Sequence, residues 1–416
     1  MINAYHQAMK AQWLSRDKIR ELQERKLRQV VQQAFKNVPF YKRLFEEAGI
    51  SPDCINTLED MERVPITDKS TLQRFDRNFI LSQAFSTADL KTERSSGSTG
   101  SPFSVFLDRK DIYLRNALFL RALRTAGYRF GRKILLVTGE GRGKVSKPWL
   151  NWHYASILDP PEALLTRLNR FKPEFLYGCT TCLRLLAEFV RCTNSWAFTP
   201  SKIITTAEVL DNRTRKLLEE TFEAEIYDLY GMTETGIVGW ECSEHNGYHL
   251  AEDSTIVEYL PIQNGGKASR LVMTKLDLAA MPLIRFDTGD LGIPNPESSC
   301  ACGRGFKLLK KVEGRIIDCL CQQDGTTVSP YKITCALEKL PNLLRFQVIQ
   351  EDYARITVRV QTALRSNQRV EHDIQKVMAS LLGPEVQVTV LQVVNMQTIP
   401  GRKFRVVVSK LSDNQN

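Results

Sequence analysis

Apolar residues fall at helical spacing among Arg, Lys, Glu and Gln over residues 15–48, which predicts charge-rich amphipathic helices. Farther along, short apolar blocks alternate with helical patterns. KILLVTG, with its core at 133–138, is an apolar run ending in glycine, the signature of a buried parallel strand. Strands are also predicted at 103–107, 202–206 and 224–229, and helices at 111–126, 161–171, 182–192 and 212–222. Strands alternating with helices predict an α/β domain with mostly parallel sheets. After about Gly314 the rhythm changes. Strands at 346–350, 355–361, 386–393 and 403–408, with helices at 330–340 and 366–381, predict a compact α+β unit. The expected division is 1–314 and 315–416, with a hinge near 314–318.

Composition narrows this picture. The 416 residues suffice for two or three domains, and they contain no internal repeat or low-complexity tract. No stretch approaches the ~18 consecutive apolar residues of a membrane helix. The first 31 residues lack an apolar run followed by a small-residue cleavage site, so the chain is expected to be cytoplasmic and not membrane-associated. In that reducing setting the ten cysteines point to burial or metal rather than disulfides. The formal net charge of +10 suits an anionic partner: nucleic acid, a phosphorylated cofactor or an acidic carrier protein. Lys and Arg are spread along the chain without basic blocks, which argues against nucleic acid.

The stretch RSSGSTGSPFSVFLD contains six small residues in a row: Ser95, Ser96, Gly97, Ser98, Thr99 and Gly100. Glycine amides and Ser/Thr hydroxyls can cradle a phosphate. The run matches neither the Walker loop nor the dinucleotide fingerprint, so alone it reads equally as a linker. Four further segments change that: YGMTETG (230–236), RFDTGDLG (285–292), EGRIID (313–318) and PGRKFR (400–405).

In this order the five segments resemble the core motifs of the adenylate-forming superfamily, which includes the acyl-coenzyme A synthetases. Length, YGMTETG and the cysteine pair resemble its phenylacetate–coenzyme A ligase branch most. The resemblance spans nearly the whole chain. It implies a large N-terminal domain binding ATP and acid and a small mobile C-terminal domain. It also implies an acid–thiol ligase: a small carboxylate, with an aromatic acid among the candidates, attacks ATP to give an acyl-adenylate and pyrophosphate. A thiol, usually that of coenzyme A, then displaces AMP; carrier-protein phosphopantetheine and amines are variant acceptors. By the same resemblance Ser95 to Gly100 hold the β- and γ-phosphates as a mobile loop. The lysine often found just after this loop is missing, the next being Lys110. Thr233 would donate to the α-phosphate, Glu234 would ligate Mg²⁺, and Asp290 would accept from the ribose hydroxyls. Glu208, Tyr230 and Gly231 would border the adenine and acyl pocket, and Arg315 would touch ribose or phosphate. Lys403 would stabilise charge developing on the reacting groups, with Arg402 as a rival. At the hinge, Ile317 stands where relatives carry Asp or Lys, followed by Asp318.

A second constellation lies in WECSEHNGYHLAED and SSCACGRG. Cys242, His249, Cys300 and Cys302 offer the soft donors of a closed tetrahedral zinc site. His249 is preferred because GYHL leads toward a strand, and His245 is the alternative. Cys319 and Cys321 read as strand residues and buried. Cys179 and Cys182 form C-T-T-C without an evident redox context. Tyr177 and Gly178 resemble the turn beside the acyl site; Gly139, Gly141 and Gly143 would form another wall or an exposed turn. His153 beside Trp152 reads as a packed pair. A homodimer is left open, and a noncatalytic zinc-containing binding protein is the competing class of function.

Overall fold

The structure is a computed structural model that describes residues 2–95, 103–139, 151–262, 267–297, 299–341, 343–362, 368–393, 396 and 405–411. Its centre is a twelve-stranded sheet. One half is parallel, running from the edge as Trp152–Ser156, Ile134–Thr138, Phe175–Cys179, Lys202–Thr206 and Glu225–Met232. These strands are short apolar runs because helices cover them; in Ile134–Thr138 the first four side chains are buried. The helix Thr180–Cys192 buries Leu183, Leu186, Ala187 and Val190, one stripe at 3–4-residue spacing. The helix Asn212–Phe222 starts where the Asp211 carboxylate accepts the Thr214 amide at 2.6 Å.

The other half is antiparallel: Gly236–Trp240, Tyr248–Leu250, Leu308–Arg315, Phe286–Pro294, Ser269–Lys275 and Thr255–Pro261. The two-residue strand Thr67–Asp68 pairs in parallel with Phe286–Pro294. Of these seven strands only Tyr248–Leu250, toward which GYHL leads, is anticipated in the sequence. The others carry glycines, prolines and charges, and FDTGDLGIP reads as a loop because its polar side chains face a cavity rather than a core. The YGM of YGMTETG likewise lies inside the strand Glu225–Met232. The strand Ser104–Leu107 stands outside the large sheet, paired antiparallel with Lys91–Arg94.

A four-stranded sheet follows in the order Gln387–Gln392, Arg355–Thr362, Leu343–Gln350, Val407–Ser409, with helices Pro330–Leu337 and Gln368–Leu382. It has its own core, to which Ile356, Val358 and Val360 contribute one face of a strand. That core begins at Leu320, whereas Arg315 still ends a strand of the large sheet.

Candidate functional site

A cavity of about 720 Å³ opens at the carboxyl ends of the parallel strands and is bounded on one side by the small unit. Open α/β sheets place ligands at this end because the chain leaves each strand there in a turn. Ser95, Glu208, Tyr230, Gly231, Thr233, Glu234, Asp290 and Arg315 all line it. They come from five separate segments of chain. The other predicted residues, Ser96, Gly97, Ser98, Thr99, Gly100 and Lys403, lie outside the described residues.

Strand register builds the first subsite. Asp290 pairs directly with Arg315, and the Arg315 guanidinium stands 3.6 Å from the Asp290 carboxylate. From the neighbouring hairpin, the Tyr230 hydroxyl donates to the other Asp290 oxygen at 2.9 Å. Burial, reinforced by the Asp290 charge, holds the Tyr230 phenol far above its ordinary range, so it keeps its proton and donates. A carboxylate has about four acceptor positions. Asp290 thus presents an acceptor group to the cavity.

The second subsite is the turn carrying Thr233 and Glu234, which joins Glu225–Met232 to Gly236–Trp240. Arg115, from the helix Arg109–Thr125, donates to the main-chain carbonyls of Thr233 and Glu234, each at 2.8 Å. The same guanidinium reaches Glu93 at 3.2 Å. The turn is thus fixed through its backbone, while both side chains remain on the cavity wall. Gly231 is required at the close of the hairpin, because a Cβ there would stand 2.6 Å from the Gly236 carbonyl oxygen.

Glu208 supplies a third wall. Its carboxylate accepts the Thr181 amide at 2.7 Å and its carbonyl accepts the Thr180 hydroxyl at 3.2 Å, tying it to the start of helix Thr180–Cys192. Ser95 sits at the mouth. Its amide donates to the Phe103 carbonyl at 2.8 Å, and its hydroxyl accepts the Phe103 amide at 3.0 Å.

Beyond the cavity, Cys242, His249, Cys300 and Cys302 bring three thiols and one imidazole within 4.8 Å of one another. The Cys242 and Cys300 sulfurs are 3.7 Å apart, and Cys302 Sγ lies 3.3 Å from His249 Nε2. Tetrahedral zinc with Zn–S ≈ 2.3 Å and Zn–N ≈ 2.1 Å sets its ligand atoms roughly 3.5–3.8 Å apart, so this donor set fits such an ion. Burial and the Arg304 charge push the His249 imidazole down to about 4, leaving it neutral, as a metal ligand must be. Burial raises the Cys302 thiol, but hydrogen bonds from Arg304 outweigh it, and the net shift is downward. Burial, with the neighbouring thiols, pushes Cys242 up to about 12. His245 stands apart, with its ring 3.2 Å from Glu225 and 3.5 Å from Glu241, and donating a hydrogen bond to Glu241 raises its pKa.

The chain is similar to known proteins over most of its length. It is 29% identical over 360 residues to a phenylacetate-coenzyme A ligase of Thermus thermophilus, covering 81% of this chain and 79% of the relative. It is 28% identical over 359 residues to one of Aromatoleum evansii, again covering 81% and 79%. The chain is a homologue of phenylacetate–coenzyme A ligases. Its fold is that of adenylate-forming ligases: a crystal structure of 2-hydroxyisobutyryl-CoA ligase in the postadenylation state superimposes with a TM-score of 0.80, at 20% identity over 96% of this chain and 92% of that one. No family model matches.

Among the described residues, Tyr177, Gly178, His153, Trp152 and Gly139 do not join the cavity lining. Tyr177 packs edge-on against Phe119, and Gly178 is hemmed in by Leu183 and Val137. His153 is exposed and stacks on Phe171 at 3.7 Å, while Trp152 donates to the Tyr128 hydroxyl. Gly139 is described, and Gly141 and Gly143 are not. Cys319 is buried, but only Leu320–Cys321 is strand and Cys321 is half-exposed. Cys179 ends a strand and caps the following helix, in keeping with the turn that Tyr177 and Gly178 resemble. Two residues of the site escape sequence reasoning. Arg115 is one polar position in an ordinary amphipathic helix. Lys69 lies on the cavity wall at the start of the short helix Lys69–Gln73.

Proposed function

We propose that this protein is an AMP-forming acid–thiol ligase acting on a small carboxylic acid, with an arylacetate as the first candidate and coenzyme A as the acceptor. The observation that carries the reading is the convergence of eight residues from five segments on one cavity, with Asp290 held between Tyr230 and Arg315. The phenylacetate–coenzyme A ligase relatives support the substrate class.

In this reading a carboxylate oxygen of the acid attacks the α-phosphorus of ATP. The bond to the bridging oxygen breaks, and its electron pair leaves with pyrophosphate. The thiol sulfur then attacks the acyl carbon, AMP departs, and the thiol proton passes to solvent. Asp290 accepts the ribose hydroxyls, and Arg315 faces the ribose or α-phosphate. The Thr233 hydroxyl donates to the α-phosphate. Glu234 holds Mg²⁺, which neutralises phosphate charge when bound. Ser95 and the following Ser96, Gly97, Ser98, Thr99 and Gly100 hold the outer phosphates. Lys403 supplies positive charge where the carboxylate meets the α-phosphate. Residues 1–314 form the ATP- and acid-binding domain and 315–416 a mobile one that completes the site. Cys242, His249, Cys300 and Cys302 hold structural zinc; four protein ligands close the shell, so the metal contributes stability and no reactive position.

ATP–pyrophosphate exchange with a panel of aryl, aliphatic and amino acids tests the first step. Exchange that depends on one class of acid is expected. Exchange with no acid at all overturns the reading.

A further inference from the structure

We propose that Lys69 is a catalytic residue of this site, its ammonium donating to the α-phosphate of the bound nucleotide; the inference rests on the adenylation reading above. The sequence poses the problem. The Ser/Gly run has no lysine after it until Lys110, so the cations facing the phosphate chain must come from elsewhere.

The fold supplies one from a distant segment. Thr67 and Asp68 pair in parallel with Phe286 and Asp287, on the strand that carries Asp290 four residues on from Phe286. That pairing places the next residue, Lys69, on the cavity wall. Asp68 is occupied in starting the short helix: it accepts the Thr71 amide at 2.7 Å and the Ser70 hydroxyl at 2.9 Å.

The neighbours of Lys69 locate its target. Lys69 is half-buried, within electrostatic reach of both Glu234 and Arg315. Burial lowers its pKa, Glu234 opposes that shift and Arg315 adds to it. Arg315 with Asp290 marks the ribose end of the site, and Glu234 marks the metal end. The phosphate that bridges ribose and metal is the α-phosphate. In the displacement, negative charge grows on the α-phosphate oxygens, and a fixed ammonium there stabilises the transition state without bond changes of its own.

Titration of the full-length protein with AMP and with adenosine, in magnesium-free buffer, tests this for the wild type, Lys69→Met and Lys69→Arg. Loss of one charge-assisted hydrogen bond should weaken AMP binding to Lys69→Met roughly tenfold or more. Adenosine binding should stay within about twofold, which also certifies the folded pocket, and Lys69→Arg should regain part of the AMP affinity. Magnesium is left out so that a lysine acting only by orienting Glu234 leaves the AMP titration unmoved. Unchanged AMP affinity in Lys69→Met, beside normal adenosine binding, overturns the inference and leaves the adenylation reading intact. Equal loss of adenosine binding reduces Lys69 to a structural residue. A wild type that binds neither compound removes the adenylation reading itself.

Discussion

The cavity and the Cys/His cluster share strands yet are built on opposite plans. The cluster gathers four donor atoms within 4.8 Å, three of their residues buried, from two neighbouring loops and the strand Tyr248–Leu250. The cavity spreads its eight site residues, drawn from five segments, around about 720 Å³. Strand alternation explains how one framework serves both. Consecutive side chains point to opposite faces, so Tyr248 lines the cavity while His249, the next residue, joins the cluster. Tyr248 also donates to buried Asp228 at 2.6 Å, and the Asp228 amide donates to Glu241, the residue before Cys242. Both join segments far apart in the chain, but the cluster closes four donors on one point, whereas the cavity aims separate groups around an open volume.

That contrast breaks most decisively at the chemistry. Lys403→Ala should lower acid-dependent exchange by roughly 10²–10³-fold, the scale of removing one preorganised electrostatic group, with little change in melting temperature. Full adenylation in this variant would sink the assignment. Cys300→Ser should do the reverse. Metal content should fall below about half an equivalent and the melting temperature by roughly 5 °C or more, while exchange per folded molecule persists below that temperature. Equal loss of activity and stability would mean that the two regions are not separate devices.

A smaller effect is expected at Arg115→Ala. Two carbonyls lose a charged donor, and the Thr233–Glu234 turn is free to shift by a fraction of an ångström. Exchange should drop about 10–100-fold, as for modest misplacement of reacting groups, with adenosine binding retained. A drop of less than threefold would show that the hairpin holds the turn without help.

The smallest effect lies at the junction. Burial, with the nearby Glu241 charge, pushes the Asp228 carboxyl up to about 7 from an unfolded value near 4. The folded state therefore binds the extra proton between those values. Its stabilising contribution is complete below about pH 4 and is lost as pH rises through 7. Asp228→Asn should flatten the urea-unfolding stability between pH 4 and 7 relative to wild type. Parallel curves would mean that the carboxyl is ionised throughout.

Legibility followed the range of the interactions. Pro161–Phe171, Lys202–Thr206 and Asn212–Phe222 match the elements read from the sequence pattern residue for residue, because each is an apolar block or stripe packed in one core. The antiparallel half was not visible apart from Tyr248–Leu250. Leu308–Arg315 and Phe286–Pro294 spend their polar residues on the cavity, which erases the alternation that marks a strand. The site was legible where residues cluster in short motifs such as TETG. It was not where one side chain serves alone, as Arg115 does from 119 residues away from Glu234.

The sequence by itself determined the helices flanking the parallel strands, three of those five strands, the order of the motifs and the donor types of the Cys/His cluster. These depend on periodicity and residue chemistry, which contiguous residues carry. The tertiary structure alone decided that His249 and not His245 faces the thiols, that Arg115 clamps the Thr233–Glu234 turn, and that Lys69 reaches the wall beside Asp290. Those outcomes hang on strand parity, helix placement and the parallel pairing of Thr67 with Phe286. Each is fixed by packing between segments far apart in the chain, where no local pattern can record it.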